Sequence, residues 1–193
     1  MKYFLICIIA ICTISAALAQ SGEAGVHVYA GISNAKNNDA LITPDLTSHP
    51  GYLIGVDARL NSGSMYFLIG GQYHRLDYIA QSQKSYFSVD EKMAWLKLRI
   101  GLGFNVLNLS DKFALRAKAL GGINVISSYP STLAAPYRDD GYNTGTAGLT
   151  LGVGVDIYNI TLDVEYEKGF FNAVNKVKGT EFDFLMLTMG FFF

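Results

Sequence analysis

The sequence predicts an all-β fold: an eight-stranded antiparallel up-and-down transmembrane β-barrel, preceded by a cleavable signal peptide. Three observations carry the prediction. Apolar residues recur at every second position through one ribbon after another, the chain is too apolar for a water-facing surface yet has no second stretch long enough for a membrane helix, and the connections alternate between long and short. Successive side chains on a strand point to opposite faces, so each ribbon has one greasy and one polar side. Charged residues make up 16% of the chain and apolar ones 50%, against a usual charged share of about 25%. A backbone in lipid must satisfy its own hydrogen bonds, and without helical spans only a closed barrel does so.

The N-terminus is read as a targeting segment. Lys2 opens it, Tyr3 to Ile14 is almost wholly apolar, and Ala17 and Ala19 place small residues where a signal peptidase reads them, so cleavage after Ala19 is expected. Residues 1–19 are then the signal peptide and 20–193 one barrel domain. Cys7 and Cys12 both fall in the removed segment, and bulky Ile11 before Cys12 argues against a lipoprotein acceptor. Disulfides and thiolate chemistry are therefore not expected. The formal charge of -1 gives no support for nucleic-acid binding.

Eight ribbons follow. The first covers 24–33, with Val26, Val28, Ala30 and Ile32 on one face. The second covers 51–61, where Tyr52, Ile54, Val56, Ala58 and Leu60 alternate with Leu53, Gly55, Asp57 and Arg59. A third runs over 64–76. The fourth, 94–106, is the clearest: Ala94, Leu96, Leu98, Ile100, Leu102, Phe104 and Val106 interleave with Trp95, Lys97, Arg99, Gly101, Gly103 and Asn105. Ribbons five (112–125) and six (144–157) set Phe113, Leu115, Ala117 and Ala119 against Arg116 and Lys118, and Leu149, Leu151, Val153 and Val155 against Gly152, Gly154 and Asp156. The seventh, 160–168, sets Ile160, Leu162, Val164 and Tyr166 against Thr161, Asp163, Glu165 and Glu167. The last, 180–193, closes on Leu185, Leu187, Met189, Phe191 and Phe193.

Between them lie 34–50, 61–64, 77–92, 107–111, 126–143, 158–159 and 169–179. Long loops on one side and tight turns on the other are the habit of bacterial outer-membrane barrels, whose termini are both periplasmic. Ribbons of about ten residues also match their apolar band of about 25 Å. Tyr52, Tyr66, Tyr73, Tyr78, Tyr129, Tyr158, Tyr166, Phe170 and Phe171 crowd the ribbon ends, where interface girdles place aromatic rings.

A soluble lipocalin-like barrel, greasy inside and polar outside, is the rival architecture. Against it stand the glycines of the polar faces (Gly101, Gly103, Gly122, Gly148, Gly152, Gly154), which suit a crowded interior, and the absence there of the mixed Lys and Glu of a soluble surface. With polar faces inward, Lys97, Arg99, Arg116 and Lys118 on ribbons four and five oppose Asp156, Asp163, Glu165 and Glu167 on six and seven. A tight turn at Tyr158-Asn159 sets Gly154 opposite Asp163 and Gly152 opposite Glu165, leaving gaps for the basic side chains. Buried charges persist when paired, and eight strands enclose a space just wide enough for side chains, so an ionic network that plugs the lumen is expected.

From Leu185 to Phe193 the chain resembles the C-terminal assembly signal of outer-membrane barrels, and residues 20–193 resemble small OmpA/OmpX-type eight-stranded proteins, especially the PorT-like outer-membrane β-barrel family. The resemblance implies a location in the outer membrane among lipid and lipopolysaccharide, insertion by the barrel-assembly machinery, and no appended peptidoglycan-binding module. It implies a structural or interaction role in envelope integrity, adhesion or secretion. Loops 34–50 and 126–143 are the candidate surfaces for an extracellular partner, the latter for Tyr129, Pro130, Pro136, Tyr137 and Arg138.

The alternative from another class is a lipid A-modifying barrel, of deacylase or acyltransferase type, which needs a histidine, a serine nucleophile and a carboxylate at the outer rim. Of His27, His49 and His74, the last has Asp77 and Ser82 close in sequence. No enzyme is expected: a rim histidine is more often a polar lumen residue. Gly101-Leu102-Gly103 and Gly152-Val153-Gly154 lack the third glycine and helix of a dinucleotide loop, and no metal-ligand spacing appears, so neither cofactor nor metal is expected. Deleting Phe193 is expected to reduce the heat-modifiable barrel recovered in the membrane fraction, and unchanged levels would contradict its role in assembly.

Overall fold

Each alternating ribbon becomes one strand of a single closed sheet. The computed structural model describes residues 24–37, 49–77, 92–110, 112–128, 143–173 and 179–193. The strands are β1 (Ala24–Asn37), β2 (His49–Ser62), β3 (Met65–Asp77), β4 (Lys92–Ser110), β5 (Phe113–Ser128), β6 (Gly145–Ile157), β7 (Ile160–Gly169) and β8 (Phe182–Phe192). Each pairs antiparallel with its neighbours in chain order, and β1 pairs with β8 to close the ring, Val28 facing Phe191 and Ile32 facing Leu187. Backbone bonds between Val26 and Phe193 continue this seam to the last residue. The turns between β2 and β3, β4 and β5, and β6 and β7 share one end of the barrel with Ala24 and Phe193. The four longer connections leave from the other end.

The strands run further than the alternation alone indicates. β1 continues to Asn37 and β2 starts at His49, which removes both ends from the expected loop 34–50; β5 reaches Ser128, which shortens 126–143. On the turn side, β4 extends through most of the expected turn 107–111 to Ser110, with register shifts at 105–107 and 108–110. β8, by contrast, begins at Phe182 rather than Thr180. The reason is that a hairpin ladder is made by backbone groups and outlasts the apolar alternation that marks the lipid-facing stretch. Positions 1–23, with Ala17, Ala19 and the expected signal peptide, lie outside the described residues, as do Tyr78, Ser82, Tyr129 and most of the long loops.

The greasy faces point outward. Ile32, Ile54, Leu98, Ile100, Ile123, Leu151, Val153 and Leu187 are each at least half exposed, an arrangement that water would oppose by about 25 cal/mol per Å2 of apolar area and that lipid accepts. Leu185, Met189, Phe191 and Phe193 join them on β8 and the residue after it. Outward charges on the strands, such as Lys36, Arg75, Lys168 and Asp183, gather at the loop end, where Lys168 Nζ meets Asp183 at 2.7 Å and Tyr166 donates to the same carboxylate at 3.0 Å. Tyr66 departs from the expected aromatic girdle. It falls on the inward phase of β3 and is buried, because its ring fills the space left by Gly103 directly across the ladder on β4.

That pairing of a large side chain with a glycine is the rule inside. Tyr29 lies over Gly55, Leu120 beside Gly101 and Arg116 beside Gly154. A Cβ built at Gly103 runs into the Tyr66 ring, so Gly103→Val is expected to destabilise the barrel by about 1–3 kcal/mol. Urea unfolding in detergent micelles measures this, and a stability equal to that of the parent chain would refute the packing argument.

Candidate functional site

The lumen is the candidate site, and strand geometry builds it. Alternation on β2, β4, β5, β6 and β7 sends five cations and five carboxylates inward: Arg59, Lys97, Arg99, Arg116 and Lys118, against Asp57, Asp156, Asp163, Glu165 and Glu167. They form a zigzag of alternating sign. Arg59 meets Asp156 at 3.4 Å; Asp156 meets Arg116 at 2.8 Å; Arg116 meets Asp163 at 3.2 Å. Lys118 bridges Asp163 at 3.2 Å and Glu165, and Arg99 joins Glu165 to Asp57 at 2.7 Å each. Lys97 and Glu167 pair separately at 2.6 Å, and Asn124 donates to the other Glu167 oxygen at 2.6 Å. Apart from Asp156, which retains 23% side-chain exposure, these groups are almost fully buried.

Lys97, Arg99, Arg116, Lys118, Asp156, Asp163, Glu165 and Glu167 stand on the inward faces of β4 to β7 and are joined by these ion pairs. The mechanism is a glycine on the middle strand of each triplet. Arg116 on β5 reaches Asp163 on β7 over Gly154 of β6, and Lys118 reaches Glu165 over Gly152, since these residues stand in register. The same device operates where the sequence reading did not place it: Gly70 of β3 lies level with both Asp57 and Arg99, and Arg99 crosses it to reach β2. A Cβ at Gly70 or Gly154 would collide with the neighbouring carboxylate. Asp57 and Arg59 were legible as inward positions, but their partners lie two strands away or across the lumen, which strand order alone does not reveal.

Around this column sit neutral polar groups. His27 shares a hydrogen bond of 2.6 Å with Thr161, its Nδ1 lies 3.8 Å from Asp57, and its ring stacks on Tyr29 with centroids 4.9 Å apart. Arg59 lies over the rings of Tyr66 and Phe192 at 5.3 and 5.0 Å. Toward the loop end the charges give way to an apolar layer with Leu53, Leu76, Met93, Trp95, Ile126, Phe182 and Phe184. Trp95 makes edge contacts with Phe182 and Phe184 at 5.4 and 5.7 Å, while the Lys97 ammonium sits 3.5 Å from the Phe184 centroid.

His74 stands in this layer rather than at an outer rim. Its ring is fully buried and shares a hydrogen bond of 2.5 Å with Ser33. It thus points into the barrel, away from any lipid substrate outside. Among the described residues no group of three or more His, Cys, Asp or Glu is arranged to hold a metal ion. At the turn end a cleft of about 440 Å3 lies between the β4–β5 and β6–β7 turns, lined by residues that include Asn108, Lys112, Asp156 and Tyr158. A backbone bond of 2.7 Å from Tyr158 to Lys112 ties the two turns together.

An apolar exterior on a closed eight-stranded ring, with a charge-paired interior, defines a membrane barrel. The model of the outer membrane protein beta-barrel domain matches residues 4–187, and the chain belongs to that family. Among solved structures it is similar to Neisserial surface protein A (NspA), at 17% identity and a TM-score of 0.55, over 86% of this chain and 96% of that one. It also resembles Ail, the attachment invasion locus protein of Yersinia pestis, at 16% identity and a TM-score of 0.49, over 89% and 99% of the two chains. No curated protein matches it in sequence. The protein is therefore an integral barrel of the outer membrane, among bilayer lipid and lipopolysaccharide.

The network makes a specific energetic demand. Arg99→Met leaves the buried Asp57 without its guanidinium partner and Glu165 with Lys118 alone, and breaking a buried pair in this way costs about 3–5 kcal/mol. The joint replacement Lys97→Met with Glu167→Gln removes both charges of the separate pair, and its loss of stability is expected to be smaller. Denaturant midpoints of the two variants in micelles test this, and the reverse order would overturn it.

Proposed function

We propose that this protein is a non-enzymatic surface barrel with a plugged lumen, which contributes to the envelope through its rigid body and its outer loops, in a structural, adhesive or secretion-associated role. The carrying observation is the filled interior. Arg59 to Asp57 run as one chain of ion pairs, and Trp95, Phe182 and Phe184 lie across the loop-side end. An eight-stranded ring leaves only enough room for side chains, so this filling supports a closed body over a water-filled pore.

The remaining assignments follow from that reading. Both termini face the periplasm and the long connections face outside, in keeping with the long-short alternation of such barrels. The connections between β1 and β2 and between β5 and β6 then stand at the cell surface, and the tyrosines and prolines of the second favour contact with a macromolecular partner, since such rings bury area at low entropic cost. The outward row Leu185, Leu187, Met189, Phe191 and Phe193 suits recognition by the barrel-assembly machinery. A lipid A-modifying activity is disfavoured because its best histidine, His74, meets Ser33 inside the barrel, packed against Phe184. A nucleophile beside this ring would face the interior of the barrel and not the surrounding lipid.

Planar-bilayer recordings on the purified protein are expected to show no steady conductance, and a sustained, sizeable current would refute the plugged lumen. Lipid A from a deletion strain is expected to keep its acylation pattern by mass spectrometry; an altered pattern would return the enzymatic reading.

A further inference from the structure

The loop-side layer contains a titratable ring with no counter-charge among the described residues. His74 on β3 is fully buried, its Nε2 engages Ser33 Oγ, and its Nδ1 has no hydrogen-bond partner among the described residues. Its ring centroid is 4.8 Å from that of Phe184 and 6.2 Å from that of Trp95. Among the described residues, the charged groups acting on it are Lys97 and Arg99, both cations and both on β4. From the other packed elements, β1 presents the hydroxyl of Ser33 and the phenol of Tyr29, β2 the apolar Leu53, β5 Asn124 and Ile126, and β8 Phe184 and Met186. The Glu167 carboxylate of β7 is already held by Lys97 and Asn124. Lys97 also lies 3.5 Å from the centroid of Phe184, the ring that His74 packs against.

We propose that His74 is an acid-operated latch on the loop-side lid of the lumen. In its neutral form the imidazole bonds to Ser33 and packs with the aromatic rings. Protonation places a second cation beside Lys97 in an apolar layer where no carboxylate among the described residues is free to receive it, an arrangement that buried charges do not tolerate. The layer of Trp95, Phe182 and Phe184 then loosens, and water enters the outer half of the lumen. A histidine buried neutral and required to charge loses its native contribution as pH falls, so the lid holds at neutral pH and yields in acid. His27 does not serve this purpose, because Asp57 lies 3.8 Å from its Nδ1 and meets the charge that protonation would create. The latch rests on the closed lumen proposed above.

Trp95 is the single tryptophan of the chain, is 2% exposed and belongs to the lid. Acrylamide quenching of its fluorescence therefore reports entry of water directly. For the full chain purified in detergent, the quenching constant is expected to rise severalfold and reversibly between about pH 8 and about pH 4.5, a range that extends well below the ordinary imidazole pKa of about 6.5, at which the ring takes up a proton once the layer has opened. His74→Gln, which can keep a hydrogen bond to Ser33, and His74→Phe, which keeps a ring, are both expected to hold the neutral-pH value throughout, with heat-modifiable mobility verifying their fold. A flat profile in the parent chain, or the same rise in both variants, overturns the latch. A steady conductance at neutral pH would overturn the closed lumen and the latch with it, whereas a non-conducting barrel with a flat quenching profile overturns the latch alone.

Discussion

Closure of the sheet between β1 and β8 is the constraint from which the other features follow. Lipid supplies no hydrogen bonds, so every backbone group at membrane depth must find its partner within the sheet, and a ring is the only sheet without edges. Eight strands make the narrowest interior of this kind among the single-chain barrels of bacterial outer membranes. With little room for water, the ionised side chains that alternation sends inward must meet one another, and they do so in a run from Arg59 to Asp57. The glycines opposite them are the geometric counterpart of the charges: without Gly70, Gly152 and Gly154 the side chains on flanking strands would not meet across the middle one.

The interior also fixes register. A slip of one residue on any strand would turn its charges toward lipid and its leucines inward. For β4 that slip would carry Lys97 and Arg99 outside, away from Glu167, Glu165 and Asp57. The network thus selects one pairing of strands, a use of buried ions that holds even when their net contribution to stability is small. Division of the lumen into an ionic column and an aromatic layer adds a second check, since Trp95 must arrive level with Phe182 and Phe184 of β8, on the far side of the ring.

Much of this was legible in the amino-acid order because a strand half in lipid has the plainest of all patterns. The two-residue alternation from Ala94 to Val106 identified both faces of β4, and the tight Tyr158-Asn159 turn set Gly154 against Asp163. Strand ends were less legible, since beyond the lipid the ladder continues through residues such as Asn34 and Ser128 that carry no periodic signal. Tyr66 was assigned to the girdle by its place near a ribbon end, whereas its phase on β3 directs it inward. Asp57 escaped the network because proximity through a ring depends on tilt and curvature, which one-dimensional spacing does not encode. The roles of Ser33 and His74 as partners were likewise hidden, lying on strands that are two apart in the sheet.

The seam has a temporal implication. Its ladder ties His27 to Phe192 and Ile32 to Leu187, residues from opposite extremes of the described chain. Every other strand pairing joins neighbours in chain order, whereas this one joins the first strand to the last and needs both to be present. Until it arrives, β1 presents raw N–H and C=O groups along one side, the same surface that drives uncontrolled strand addition between chains. A nascent barrel of this design is thus at its most vulnerable immediately before completion, and a host that shelters β1 during that interval protects the whole molecule.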